Sequence, residues 1–88
     1  MSRSAFYDLF DAEEAANLEM RAELMRELKR LLNERFKTQQ AAAEHLGVEQ
    51  SRISNLYTGK ISLFSIDMLL SMITKLGKRV EVSIKEAA

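Results

Sequence analysis

Apolar residues recur at helical spacing through most of this chain and switch to strict alternation only near its end. Over residues 14–36, Leu18, Ala22, Met25, Leu28, Leu32 and Phe36 follow one another at steps of three and four, and Leu24 and Leu31 widen the stripe. That spacing predicts a helix with one buried face. Glu23, Arg26, Glu27 and Arg30 fall on the opposite side, with Glu27 three residues before Arg30 in ion-pair reach. After Lys37 the segments shorten. Thr38 is a good N-cap, Gln39 to Leu46 a short helix, and Gly47 its stop. A second short helix is predicted over 50–57, ended by Thr58-Gly59-Lys60. Ser65 then caps a further helix to about Leu76, with Asp67 in the first turn, where the helix dipole favours an acid, and Gly77 beyond. The core stripe expected of this helix is Ile66, Leu69, Leu70, Ile73 and Leu76. Met68 and Met72 make a second apolar stripe, either core filler or a partner surface.

Residues 78–85 alternate: Val80, Val82 and Ile84 on one side, Glu81 and Ser83 on the other. This predicts a half-buried strand. A lone strand leaves its backbone groups unpaired, and no segment of similar quality is visible elsewhere. The expectation is that Val80, Val82 and Ile84 form a dimerisation strand, paired antiparallel across a twofold axis with a second copy. The alternative partner is the N-terminal arm around Phe6, Tyr7 and Phe10. The chain thus divides into an acidic, aromatic arm (1–16), a central helical domain (17–77) and a C-terminal strand and tail (78–88).

Composition narrows the chemistry. Eighty-eight residues suit one domain with a modest core. There is no cysteine and a single histidine, His45, so neither a disulfide framework nor a Cys/His metal site is expected. No nucleophile, base and acid can be assembled, and there is no glycine-rich phosphate loop, so catalysis and cofactors are not expected. With no long apolar run and no signal-peptide pattern, the expected setting is soluble and cytoplasmic. The formal net charge is zero, which argues weakly against nucleic acid, but its distribution says more. Residues 1–20 carry one Arg against five acids, residues 21–60 eight Lys/Arg against five, and residues 61–88 four against three. The basic surplus coincides with the two short helices.

Those helices meet the demands of a helix-turn-helix. Ala43 is small where two steeply crossed backbones must approach, and Gly47 follows where the turn needs positive φ. Leu46, Val48, Ile53 and Leu56 stand where the second helix must be anchored to a core. Gln50, Ser51, Arg52 and Asn55 fall between the anchors: short to medium side chains rich in donors and acceptors, as base-edge readout requires.

The run TQQAAAEHLGVEQSRISNLYTGK resembles the helix-turn-helix of the phage-repressor-like (Xre/Cro) family, and LFSIDMLLSMITKLGKRVEVSI is similar to the closing helix and strand of HigA-like antitoxins. Glu49 departs from the Ser or Asp that the family often places at the cap of its recognition helix. The resemblance implies a mainly all-α fold, a lambda-repressor-like bundle of four to five helices with a C-terminal β-strand pairing across a homodimer. It implies that Gln50, Ser51 and Asn55 read bases, that Arg52 reaches guanine or a phosphate, and that Thr38, Gln39, Thr58 and Lys60 contact the backbone of double-stranded DNA, with Ser54 structural or phosphate-facing. A RelE/HigB-type toxin is the further partner so implied, with residues 1–16 and the Met68/Met72 face as its contacts. The expected function is a sequence-specific repressor, the autorepressing antitoxin of a toxin-antitoxin pair. The alternatives are a prophage or metabolic repressor without a toxin, and a protein-interaction module that has lost DNA binding. Against these roles, Gln39 and Gln40 are also ordinary helix-surface residues, Tyr57 is expected to pack on the core, and His45 to lie on an outer face. Half-sites about one helical turn apart, roughly 34 Å, and affinity falling steeply with salt would follow from the repressor reading.

Overall fold

The computed structural model describes residues 11–86; the arm around Phe6, Tyr7 and Phe10, and with it the alternative strand partner, lies outside them. Among the described residues the chain is mainly helical. Helix α1 spans Ala12–Arg35, α2 Gln39–Leu46, α3 Gln50–Tyr57 and α4 Ile66–Lys75, and a short 3₁₀ turn, Ile61–Leu63, joins α3 to α4.

Helices start where a side chain can satisfy their first N–H groups. The Asp11 carboxylate accepts from the Glu14 N–H at 2.8 Å, and Glu13 and Glu14 occupy the first turn, where the dipole favours acids. Helix α1 therefore begins at Ala12, inside the stretch 1–16 assigned to the arm, and Ala15 is already buried. Thr38 Oγ1 accepts from the Ala41 N–H at 3.0 Å and Ser65 Oγ from the Met68 N–H at 3.1 Å, so α2 and α4 start at the expected residues.

Helix α1 lies chiefly against α4, and α2 against α3. Leu28, Leu32, Leu46, Ile53, Leu56, Phe64 and Leu69 fill the space between them. Each such side chain contributes about 1.5–3 kcal/mol relative to leaving it in water. The buried stripe of α4 is Leu69, Met72 and Ile73, continued by Leu76, whereas Ile66 and Leu70 are only half-buried. Met72 is 3% exposed, so it belongs to the core and cannot serve as a toxin contact; Met68 stays half-buried at its edge.

Basic side chains from one element meet backbone carbonyls of another. Arg35 Nη1 donates to the Leu76 carbonyl at 2.6 Å, Lys75 Nζ to the Leu46 carbonyl at 2.9 Å, and Arg21 Nη1 to the Ile61 carbonyl at 3.1 Å. On the open side of α1, Arg30 bonds Glu27 at 3.0 Å and Glu34 at 2.8 Å. The Glu27 hydrogen bond, with the charges of both acids, raises the guanidinium's already high pKa.

No β-strand forms among the described residues. The alternation over 78–85 predicts one, but the chain there has no regular secondary structure: Val80 packs on the core, while Val82 is 70% and Ile84 95% exposed. Alternation sets which side chains share a face, whereas a strand exists only through hydrogen bonds to a neighbour. None of the other described segments supplies them.

Candidate nucleic-acid interface

The turn between α2 and α3 is closed by two backbone bonds, from the Gly47 N–H to the Glu44 carbonyl at 3.3 Å and from the Val48 N–H to the Ala43 carbonyl at 3.0 Å. This Schellman arrangement puts Gly47 at φ 67°, a left-handed conformation that a β-carbon disfavours. Ala43 is buried, as a close helix crossing requires, and so are Leu46, Ile53 and Leu56, while Val48 is half-buried. The same pair of bonds recurs after α3, from the Gly59 N–H to the Leu56 carbonyl at 3.1 Å and from the Lys60 N–H to the Asn55 carbonyl at 3.0 Å. The C-terminal ends of both helices of the unit are thus fixed by backbone geometry.

With Ile53 and Leu56 pointing inward, steps of about 100° per residue put Ser51 almost diametrically outward. Ser54 and Asn55 flank it, Gln50 lies at the leading edge, and Arg52 falls on the flank facing the 3₁₀ turn. Gln50, Ser51, Arg52 and Ser54 are exposed and Asn55 half-buried. One convex polar face therefore gathers Gln50, Ser51 and Asn55, and it brings Ser54 into their company rather than to its margin. Glu49 makes no side-chain cap, and its carbonyl accepts from the Arg52 N–H at 3.0 Å.

A helix pair joined by so tight a turn, with the second helix polar outside and anchored inside, is the form that enters a DNA major groove. A family model described as a helix-turn-helix domain matches residues 5–85, nearly the whole chain. The chain belongs to the helix-turn-helix domain family. No curated relative matches it. Membership in a helix-turn-helix family points to a DNA-binding regulator rather than to an enzyme. Among the described residues no helix is long and apolar enough to cross a membrane, and no cluster of three His, Cys, Asp or Glu side chains could hold a metal ion.

Within the helix-turn-helix, the residues assigned to phosphate differ in what they have left to offer. Thr38 and Lys60 are exposed and Gln39 is half-buried, all at helix ends. Thr38 Oγ1 only accepts in its cap, so its own proton remains to be donated. The Thr58 hydroxyl already donates to the Ser54 carbonyl at 3.1 Å and lies 3.3 Å from that of Asn55, so a phosphate must compete with the helix for it. Tyr57 is half-buried and donates its phenol proton to Asn33 Oδ1 at 2.8 Å, tying α3 to α1; burial raises its pKa, which keeps that proton in place. His45 is exposed, with its ring 5.2 Å from that of Phe36.

The sequence reading passed over the stretch between Lys60 and Ser65. Phe64 is 2% exposed and anchors it, Ile61 is half-buried, and Arg21 holds it from α1. The available signal was three apolar residues, Ile61, Leu63 and Phe64, packed between a stop at Gly59 and a cap at Ser65.

Proposed function

We propose that this protein is a sequence-specific DNA-binding transcriptional regulator, a repressor that binds its operator as a homodimer. The observation that carries this reading is the outward face of α3, where Gln50, Ser51, Ser54 and Asn55 stand together over the buried anchors Ile53 and Leu56. Gln50 and Asn55 have the amide geometry for paired bonds to adenine, and the hydroxyls of Ser51 and Ser54 can donate or accept. Thr38, Gln39, Arg52 and Lys60 supply phosphate contacts that fix register without reading sequence. Seated over a promoter, the dimer excludes polymerase.

The twofold is proposed to run through residues 80–84. Val82 and Ile84 leave apolar surface in water, and pairing with the same segment of a second copy would cover it and form the missing ladder. The antitoxin role rests on the resemblance of the closing helix and tail to HigA-like proteins. With Met72 in the core, Met68 and the acidic first segment remain as the contacts for a toxin.

The experiment is selection from random duplexes with the full chain, followed by a gel shift on the enriched sequence. Enrichment of a palindrome with half-sites roughly 34 Å apart supports a dimeric operator binder. Failure to enrich any sequence leaves the protein-interaction module, the reading that zero net charge favours.

A further inference from the structure

Leu63 is the exposed apolar residue that the reading above leaves without a task. Of the large hydrophobic side chains exposed among the described residues, Val82 and Ile84 belong to the tail and Met20 to α1. Leu63 is 51% exposed and stands instead beside the recognition helix. It lines a shallow cleft of about 220 Å³ together with Ser51, Arg52 and Asn55. Ser51 and Asn55 from the outward face of α3, Arg52 from its flank, Glu49 from its start and one leucine thus border the same small space.

The turn that carries this leucine is pinned. Phe64, next in the chain, is buried in the core, and the Leu63 and Phe64 N–H groups bond the Lys60 and Ile61 carbonyls at 3.0 and 3.1 Å. Arg21 Nη1 holds the Ile61 carbonyl at 3.1 Å while its Nε bonds Asn17 Oδ1 at 2.7 Å. A leucine held so firmly in water keeps its apolar surface ready for a partner at little cost in ordering. On the flank of a helix that enters the major groove, the apolar group within reach is the 5-methyl of thymine, which protrudes there and which no hydrogen bond can read.

We propose that Leu63 is a specificity-determining residue that packs on a thymine methyl beside the bases read by Ser51 and Asn55. The inference rests on the DNA-binding reading and assigns the operator a thymine whose methyl the hydrogen-bonding groups of α3 do not read.

Replacing thymine by deoxyuridine removes that methyl and leaves every hydrogen bond of the base pair intact. On duplexes enriched by the wild-type protein, deoxyuridine is substituted at each thymine in turn and affinity measured for the wild type, Leu63→Ala and Leu63→Met. At one thymine per half-site the wild type loses about fourfold for each half-site engaged, the worth of one buried methyl-sized group. Leu63→Ala binds the thymine duplex correspondingly more weakly and no longer distinguishes the two bases, whereas Leu63→Met keeps the distinction. Because the side chain lies outside the core, both variants should melt with the wild type. A Leu63→Ala protein that binds as tightly as the wild type, or that shows the same thymine preference at every position, overturns the proposal and leaves DNA binding standing. Failure of the wild type to enrich any duplex overturns both.

Discussion

The ammonium of Lys75, in the last turn of α4, lies 2.9 Å from the carbonyl oxygen of Leu46, the last residue of α2. A cation from one helix end thus closes another, at the point where α2 gives way to the turn. Opposite charge at a helix C-terminus and a charge-assisted hydrogen bond act together there. Lys75→Met keeps the stem and removes the donor, and should lower stability by about 1–2 kcal/mol, read as a smaller urea midpoint with an unchanged slope. Lys75→Arg should recover part of that loss.

Gly47 gives a cleaner measure of the turn itself. A β-carbon added there would meet nothing within 4 Å, so the cost of Gly47→Ala is confined to the backbone at φ 67°. A loss of about 1–2 kcal/mol in thermal or urea unfolding is expected. A neutral substitution would mean that the turn relaxes out of its left-handed form.

Removing the amide of Gln50 should act on recognition and not on folding, because the side chain is exposed. Gln50→Ala is expected to weaken operator binding by about 1–3 kcal/mol and relax preference at one base position. Equal losses on operator and random duplex, measured side by side, would remove its role in reading bases.

The tail can be tested without disturbing the core. Val82→Asp combined with Ile84→Asp changes two exposed positions, so each protomer should fold as before. Sedimentation should then find monomers, with operator affinity lost along with the second half-site; deleting residues 79–88 should also yield monomers, but it removes Val80 from the core edge as well. A double variant that still sediments as a dimer places the twofold elsewhere.

Tyr57 predicts an alkaline limit. Burial raises its phenol pKa in the folded chain, so its contribution to stability is present below the unfolded value near 10 and is lost as pH rises through the higher folded value. Tyr57→Phe should cost less than about 1 kcal/mol at neutral pH, since Asn33 is exposed and can turn to water. Above pH 10 its unfolding midpoint should fall less steeply than that of the wild type.

Much of this architecture was legible because its decisive chemistry is local. Thr38, Gly47 and Ser65 cap or stop helices through bonds to residues within four positions, and both limits of α2 and the start of α4 follow from them. Asp11 carries the same signal before Ala-Glu-Glu, and reading it would have started α1 correctly. What escaped depends on neighbours distant in sequence. Helix α4 offers two overlapping apolar stripes, and only its packing on α1 selects Met72 over Leu70 for the interior. Phe64 is buried from a stretch too short to show any period. Arg21, Lys75 and Arg35 looked like ordinary surface cations until the fold set carbonyls before them. The outward face of α3 was legible in composition, whereas Ser54's place on it, beside Ser51, emerged only once Ile53 and Leu56 defined inward.

Those internal bonds from Arg21, Arg35 and Lys75 also bear on how the protein would search a genome. A cation bonded to its own carbonyl must give up that bond to contact a phosphate of arbitrary sequence, and indiscriminate attachment scales with the number of phosphates neutralised. A regulator so constructed would let go of irrelevant chromosome quickly, and its dependence on ionic strength should be gentler than its count of basic residues suggests. Occupancy would then be decided chiefly by the match between α3, with Leu63 beside it, and the few base pairs beneath them.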